Sequence, residues 1–218
     1  MTRLPHDATR LRFVSLLTAA ALFGGLAGCP MNGGDGGDGS GDGGGDGAGN
    51  GGATALVGTW TGQLSCTRTQ TIEGSSNPAV QTSARDLTIT FDANGRPTDL
   101  VVYGYSGQAD QTVQLSQVGQ SQTVNATSGS TQITQVVTVT QAIYTSSSAH
   151  LELEINYDAT QSNLTYDGTA TLVIDASASA DGLRYTARIE YHVTLAAGTI
   201  SIPTNEVTEC TGTLAKQP

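Results

Sequence analysis

Between Leu183 and Leu195 every odd-numbered residue is apolar (Leu183, Tyr185, Ala187, Ile189, Tyr191, Val193, Leu195) and every even-numbered one is polar or charged. A strict period of two puts alternate side chains on opposite faces of an extended backbone, so this run reads as a strand with one buried face and one wet face. A strand of that kind cannot bury its apolar face alone and requires a sheet. The pattern recurs in Leu151, Leu153, Ile155 and Tyr157 against Glu152, Glu154, Asn156 and Asp158. It recurs again in Leu172, Ile174, Ala176 and Ala178, and in Leu87, Ile89 and Phe91. No long segment after residue 54 has helical spacing, so the fold class is all-β.

Turn chemistry separates the runs at short intervals. Asn94-Gly95 predicts a hairpin between the strand ending at Phe91 and one over Leu100–Tyr105. Gly107-Gln108-Ala109-Asp110, Ser128-Gly129-Ser130, Ser146-Ser147-Ser148 and Ala180-Asp181-Gly182 mark further breaks. Short loops make antiparallel neighbours, so the expected architecture is an up-and-down meander of about eight to ten strands. Closing it into a barrel removes its open edges. A β-sandwich is the alternative. The polar, weakly patterned stretch Gln108–Gln141 reads as an exposed β-arm.

The amino terminus has a different character. Arg3, Arg10 and Arg12 precede an apolar run from Phe13 to Leu26, which is too short for a permanent span of roughly 20 residues. Leu26-Ala27-Gly28-Cys29 follows, and these four residues resemble the lipobox of bacterial lipoproteins. The resemblance implies a cleaved signal over 1–28 and a Cys29 that carries the lipid (a diacylglyceryl thioether, palmitate among its acyl chains). It also implies export and anchorage in a bacterial cell membrane, inner or outer, with the domain in the periplasm or on the cell surface. Residues 29–53 comprise this Cys and a Gly/Asp-rich stretch with nothing apolar to bury, expected to be a flexible coil spanning on the order of 25 Å. A calcium-binding β-roll is unsuited to it, because such repeats need an apolar residue in every unit. The folded domain is assigned to 54–218.

Charge narrows the partners. The whole chain has 9 basic and 19 acidic side chains; the signal takes three Arg and Asp7, leaving 6 and 18, a net of −12. Such a domain offers no basic patch for nucleic acid. It is also repelled by anionic headgroups, so membrane attachment falls to the lipid.

With Cys29 lipidated, Cys66 and Cys210 remain, in the first and last strands of the meander. Barrel closure makes those strands neighbours, and export favours a Cys66–Cys210 disulfide; two free buried thiols are the alternative. Gly58-Thr59-Trp60, just inside the domain, resembles the Gly-x-Trp of the lipocalins and their wider β-barrel relatives. That resemblance implies a barrel with Trp60 across its floor. It covers only these residues and the meander pattern: no Thr-Asp-Tyr segment, Arg partner or trailing helix accompanies it.

Catalytic motifs are absent from the sequence: it contains no nucleophile elbow, P-loop or dinucleotide fingerprint. An enzyme is not expected, and neither a cofactor nor a metal is assigned. His150, Glu152 and Glu154 share one strand face, and Glu190 and His192 another. Were the two faces to meet, they would offer a His/carboxylate metal set; a solvated strand face explains them equally. Two functions stay open. One is a barrel that holds a small apolar or amphiphilic ligand, with Trp60, Leu153, Ile155, Ile174 and Ile189 lining the cavity; Ala176, Ala178 and Ala187 either leave room in it or mark tight packing against Tyr185, Tyr191 or Trp60. The other is a structural or interaction protein that contacts another envelope component and has no small-molecule ligand.

Overall fold

The computed structural model describes residues 55–218. The expected signal peptide, the expected lipid site at Cys29 and the Gly/Asp-rich stretch fall outside the described residues. Ten strands follow in chain order: β1 (Gly58–Ile72), β2 (Ala79–Phe91), β3 (Leu100–Val102), β4 (Gln111–Val113), β5 (Ser121–Ser128), β6 (Thr131–Tyr144), β7 (Ser148–Gln161), β8 (Leu164–Ser179), β9 (Gly182–Ala197) and β10 (Ile200–Lys216). The domain is all-β. Its main sheet has eight antiparallel strands in the order β2-β1-β10-β9-β8-β7-β6-β5, and β3 and β4 form a separate pair.

The main sheet is an up-and-down meander curled into a half-barrel. The first and last strands, β1 and β10, are neighbours, paired from Trp60↔Lys216 to Ile72↔Thr204. β2 and β5 end the sheet, and the chain crosses between them through β3 and β4. The alternation read in Leu183–Leu195 is realised in β9, whose odd-numbered residues from Leu183 to Val193 are buried while the even-numbered ones face outward. β7 and β8 behave in the same way. All these inward residues join one core cluster with Trp60, Leu64, Leu87, Ile89 and Phe91.

The sequence reading departs from the structure in two places. Asn94-Gly95 does make a turn: Gly95 takes φ +72°, and the Asp92 carboxylate accepts hydrogen bonds from the Asn94 and Arg96 amides. The chain leaving that turn pairs with β2 only through Phe91↔Pro97 and Thr98 N–H to the Thr90 carbonyl. It then becomes β3, which pairs with β4 rather than β2 and ends at Val102 in a 3₁₀ turn over Tyr105–Gly107. The second departure is Gln108–Gln141, which is not an exposed arm. Val113, Leu115, Ile133, Gln135, Val137 and Val139 are all buried. A buried Gln and a Thr-rich outer face hide the alternation of β6 from a hydropathy reading.

Candidate functional site

The inward face of the half-barrel follows a simple steric rule. Four tyrosines on it each stand opposite a small residue of a neighbouring strand. Tyr157 is paired with Gly168, Tyr166 with Ala159, Tyr191 with Ala170, and Tyr185 with both Ala176 and Gly212. Small inward residues therefore make room for tyrosines. Ala187 likewise stands beside Cys210 and opposite Ile174. Gly168 is the extreme case: a Cβ there would lie 2.0 Å from the His192 carbonyl oxygen.

The segment that crosses from β2 to β5, residues 97–117, inserts Leu100, Val102, Tyr103, Tyr105, Val113 and Leu115 into this face, all buried. Tyr105 packs on Tyr157, Tyr166 and Tyr191 with ring centroids 5.7, 6.1 and 5.4 Å away, in tilted and edge-on geometries that favour aromatic pairs. Polar side chains of the sheet take up the segment's backbone. Tyr191 Oη donates to the Tyr103 carbonyl at 2.7 Å, and an Arg68 terminal nitrogen donates to the Gly104 carbonyl at 2.8 Å. The Ser106 amide donates to both Glu206 oxygens at 3.0 and 3.1 Å. Tyr157 Oη donates to the Gln108 side chain, and Arg85 pairs with Asp110. Ser106 needs a left-handed backbone (φ +48°) to present its amide this way.

Arg68 and Glu206 form an ion pair, Nε to Oε1 3.3 Å, with Glu206 1% exposed and Arg68 14%. Burial pushes the Glu206 carboxyl above its ordinary value, while Arg68 and the Ser106 amide pull it back. Burial likewise raises Tyr103 and Tyr105 to about 12, so both stay neutral phenols near pH 7.

The five residues expected to line a cavity are all buried in the one cluster. Leu153, Ile155, Ile174 and Ile189 occupy the middle of β7, β8 and β9, where Leu153 and Ile189 flank Leu172. Trp60 lies elsewhere along the register, paired with Ile89 and Lys216. Its Nε1 donates to the Leu56 carbonyl at 2.8 Å, and the Lys216 ammonium sits 5.5 Å from its ring centroid. The crossing segment packs on the tyrosines of the same inward face, Tyr105 against Tyr157, Tyr166 and Tyr191. A separate shallow depression, on the surface beside the β2 end of the sheet, is lined by Gln63, Leu64, Ser65, Thr82, Ser83, Ala84 and Thr211.

Cys66 and Cys210 are joined by a disulfide. The histidines stay apart, because β8 separates β7 from β9. His150 Nδ1 is 2.7 Å from Asp175 and its Nε2 is 3.5 Å from Glu152. His192 bonds Asn205 at 2.9 Å and lies 3.4 Å from Glu190. No group of three or more potential metal ligands occurs among the described residues. Sequence reasoning missed the Arg68–Glu206 pair: Arg68 is the one charge in β1, but Glu206 shares β10 with Glu209 and Lys216, and nothing local marks it as the buried one. The signal available was parity: both share the inward face of their strands with a Cys.

Comparison with protein-family models, with curated proteins and with solved structures returns no match.

Proposed function

We propose that this chain is a lipid-anchored protein of a bacterial cell envelope whose domain acts by contact with another envelope component. The role is neither catalysis nor carriage of a small apolar ligand. The anchoring half of this reading rests on the lipobox-like Leu26–Cys29 and the Gly/Asp-rich stretch behind it. One observation carries the other half: the chain's own segment, led by Tyr103 and Tyr105, occupies the inner face where a lipocalin-like barrel would hold a ligand.

The outer surface supplies a contact region. From Gln111 to Ala149 the chain contains no Asp, Glu, Lys, Arg or His, although its net charge is −10. This stretch includes β5, the end strand of the sheet. Natural edge strands are commonly guarded by charge or Pro, and β5 (Ser-Gln-Thr-Val-Asn-Ala-Thr-Ser) has neither. An uncharged edge suits a partner that adds an extended segment through backbone hydrogen bonds.

Trp60 is the only Trp, so its fluorescence separates the two readings. Titration of the mature protein with fatty acids or isoprenoids up to tens of micromolar is expected to give no saturable change. A saturable change at about micromolar concentration, roughly −8 kcal/mol of binding, would return the carrier reading to first place. Anchorage is tested by mass analysis of the mature amino terminus, where an unmodified residue other than Cys29 excludes it.

A further inference from the structure

We propose that residues 97–117 form a strap that opens as a unit from the half-barrel, and that Arg68 and Glu206 are its latch. The strap's backbone bonds to the main sheet lie at its two ends. At one end are Phe91↔Pro97 and Thr98 N–H to the Thr90 carbonyl; at the other, the Gly119 amide bonds the Val139 carbonyl. Each end carries a glycine with positive φ, Gly95 at +72° and Gly119 at +84°, and a Cβ at Gly119 would meet nothing within 4 Å. Between these ends β3 pairs only with β4, and side chains do the holding.

The latch grips the turn from two sides. Arg68, on β1, holds the Gly104 carbonyl, and Glu206, on β10, holds the Ser106 amide two residues later. A cation on a carbonyl and an anion on an amide match the polarity of the peptide groups they hold. β1 and β10 are also the strands tied by the disulfide, so both halves of the latch sit on a covalently linked strand pair. Releasing the strap would bare Tyr157, Tyr166 and Tyr191, with Arg68 and Glu206 beside them.

The closed strap buries Glu206; the opened strap returns it to water. A buried carboxyl binds its proton more tightly than a solvated one, so protonation favours the closed form. The charged and titratable groups that act on it are Arg68 on β1, Arg85 on β2, Tyr105 on the strap, Tyr157 on β7 and Tyr191 on β9. Arg68 opposes burial and is the strongest of them. Burial still dominates, so opening grows as pH rises from the ordinary glutamate range through the raised value of the closed form, then levels off.

Amide hydrogen exchange on the full chain, corrected for the intrinsic pH dependence, tests this. Strap amides, Ser106 above all, are expected to exchange through an opening that leaves β7–β9 protected, and to lose protection as pH rises from 4 to 8. Glu206→Gln should abolish that pH dependence. Arg68→Met strands a buried carboxylate, and should deprotect the strap about tenfold or more at pH 7 but much less at pH 4. Strap and β7–β9 amides exchanging together at every pH would overturn the proposal. So would a Glu206→Gln protein that keeps the wild-type pH dependence, or an Arg68→Met protein that loses protection uniformly.

Discussion

Cys66 and Cys210 stand directly opposite each other on β1 and β10, Cα atoms 4.0 Å apart, and their bond ties the first strand of the meander to the last. The bond spans 144 residues of sequence. On the chain-entropy account a loop this long is worth about 5 kcal/mol, and removing native bridges costs about 2–5 kcal/mol. Reduction, or replacement of both cysteines by Ala, is expected to lower the unfolding free energy by a few kcal/mol. Denaturant titration with and without reductant measures it; coincident curves would show that the bridge contributes nothing.

The bridge was legible in the sequence because two regularities met. A meander brings its ends together only when it curls, and with Cys29 set aside as the expected lipid site Cys66 and Cys210, in the first and last strands, are the thiols that remain. The strap was not legible. Leu100–Tyr105 has the composition of a strand, and nothing local says that Tyr103 and Tyr105 leave the ladder to enter the core. What decides it is non-local: Gly168, Ala170 and Ala159 leave spaces beside Tyr157, Tyr191 and Tyr166, and Arg68 and Glu206 wait for a backbone turn from the other end of the chain. Ala176 and Ala187 read in sequence either as room for a ligand or as tight packing against large neighbours; Tyr185 stands beside Ala176 and Cys210 beside Ala187.

Gly168 on β8 lies against the β9 backbone at His192 and Val193. Gly168→Ala would drive a methyl group to within 2.0 Å of the His192 carbonyl oxygen and 2.8 Å of the Val193 Cα, both backbone atoms that cannot swing aside. Overpacking commonly costs about 1–3 kcal/mol, and a backbone clash belongs at or above the top of that range. Thermal unfolding should show the loss, whereas Gly129→Ala in the β5–β6 turn, with nothing within 4 Å, should cost only the strain of its positive φ.

His150 is the pH-sensitive group of the outer face. Its hydrogen bond to Asp175 raises its pKa above 6.5, and Glu152 adds to the effect. A histidine raised on folding contributes stability that is fully present below the unfolded value of 6.5 and is lost as pH rises through the folded value. The side chains are largely solvated, so the contribution is small. An NMR titration is expected to place His150 above 6.5 and to bring it back down in Asp175→Asn. A His150 that titrates identically in both proteins would mean the contact is not made in solution.

Tyr191 joins the sheet to the strap through one hydroxyl. It donates to the Tyr103 carbonyl and accepts from the Gln135 side-chain amide, Nε2 to Tyr191 Oη 3.4 Å. Tyr191→Phe keeps the ring against Tyr105 and Tyr157 but strands that carbonyl and takes the partner that the Gln135 amide has among the described residues. Gln135 is itself buried, and its Oε1 already lacks a partner. Leaving a buried group unpaired costs about 1–3 kcal/mol, more than a typical hydrogen bond contributes net. Gln135→Leu removes a poorly satisfied amide and should be milder, near neutral. Combined with Tyr191→Phe it should recover part of the loss, since one stranded group disappears. A double-mutant cycle read by urea unfolding gives the coupling directly. Additive effects would mean that Gln135 and Tyr191 do not share the hydroxyl and that the Tyr103 carbonyl alone sets the cost.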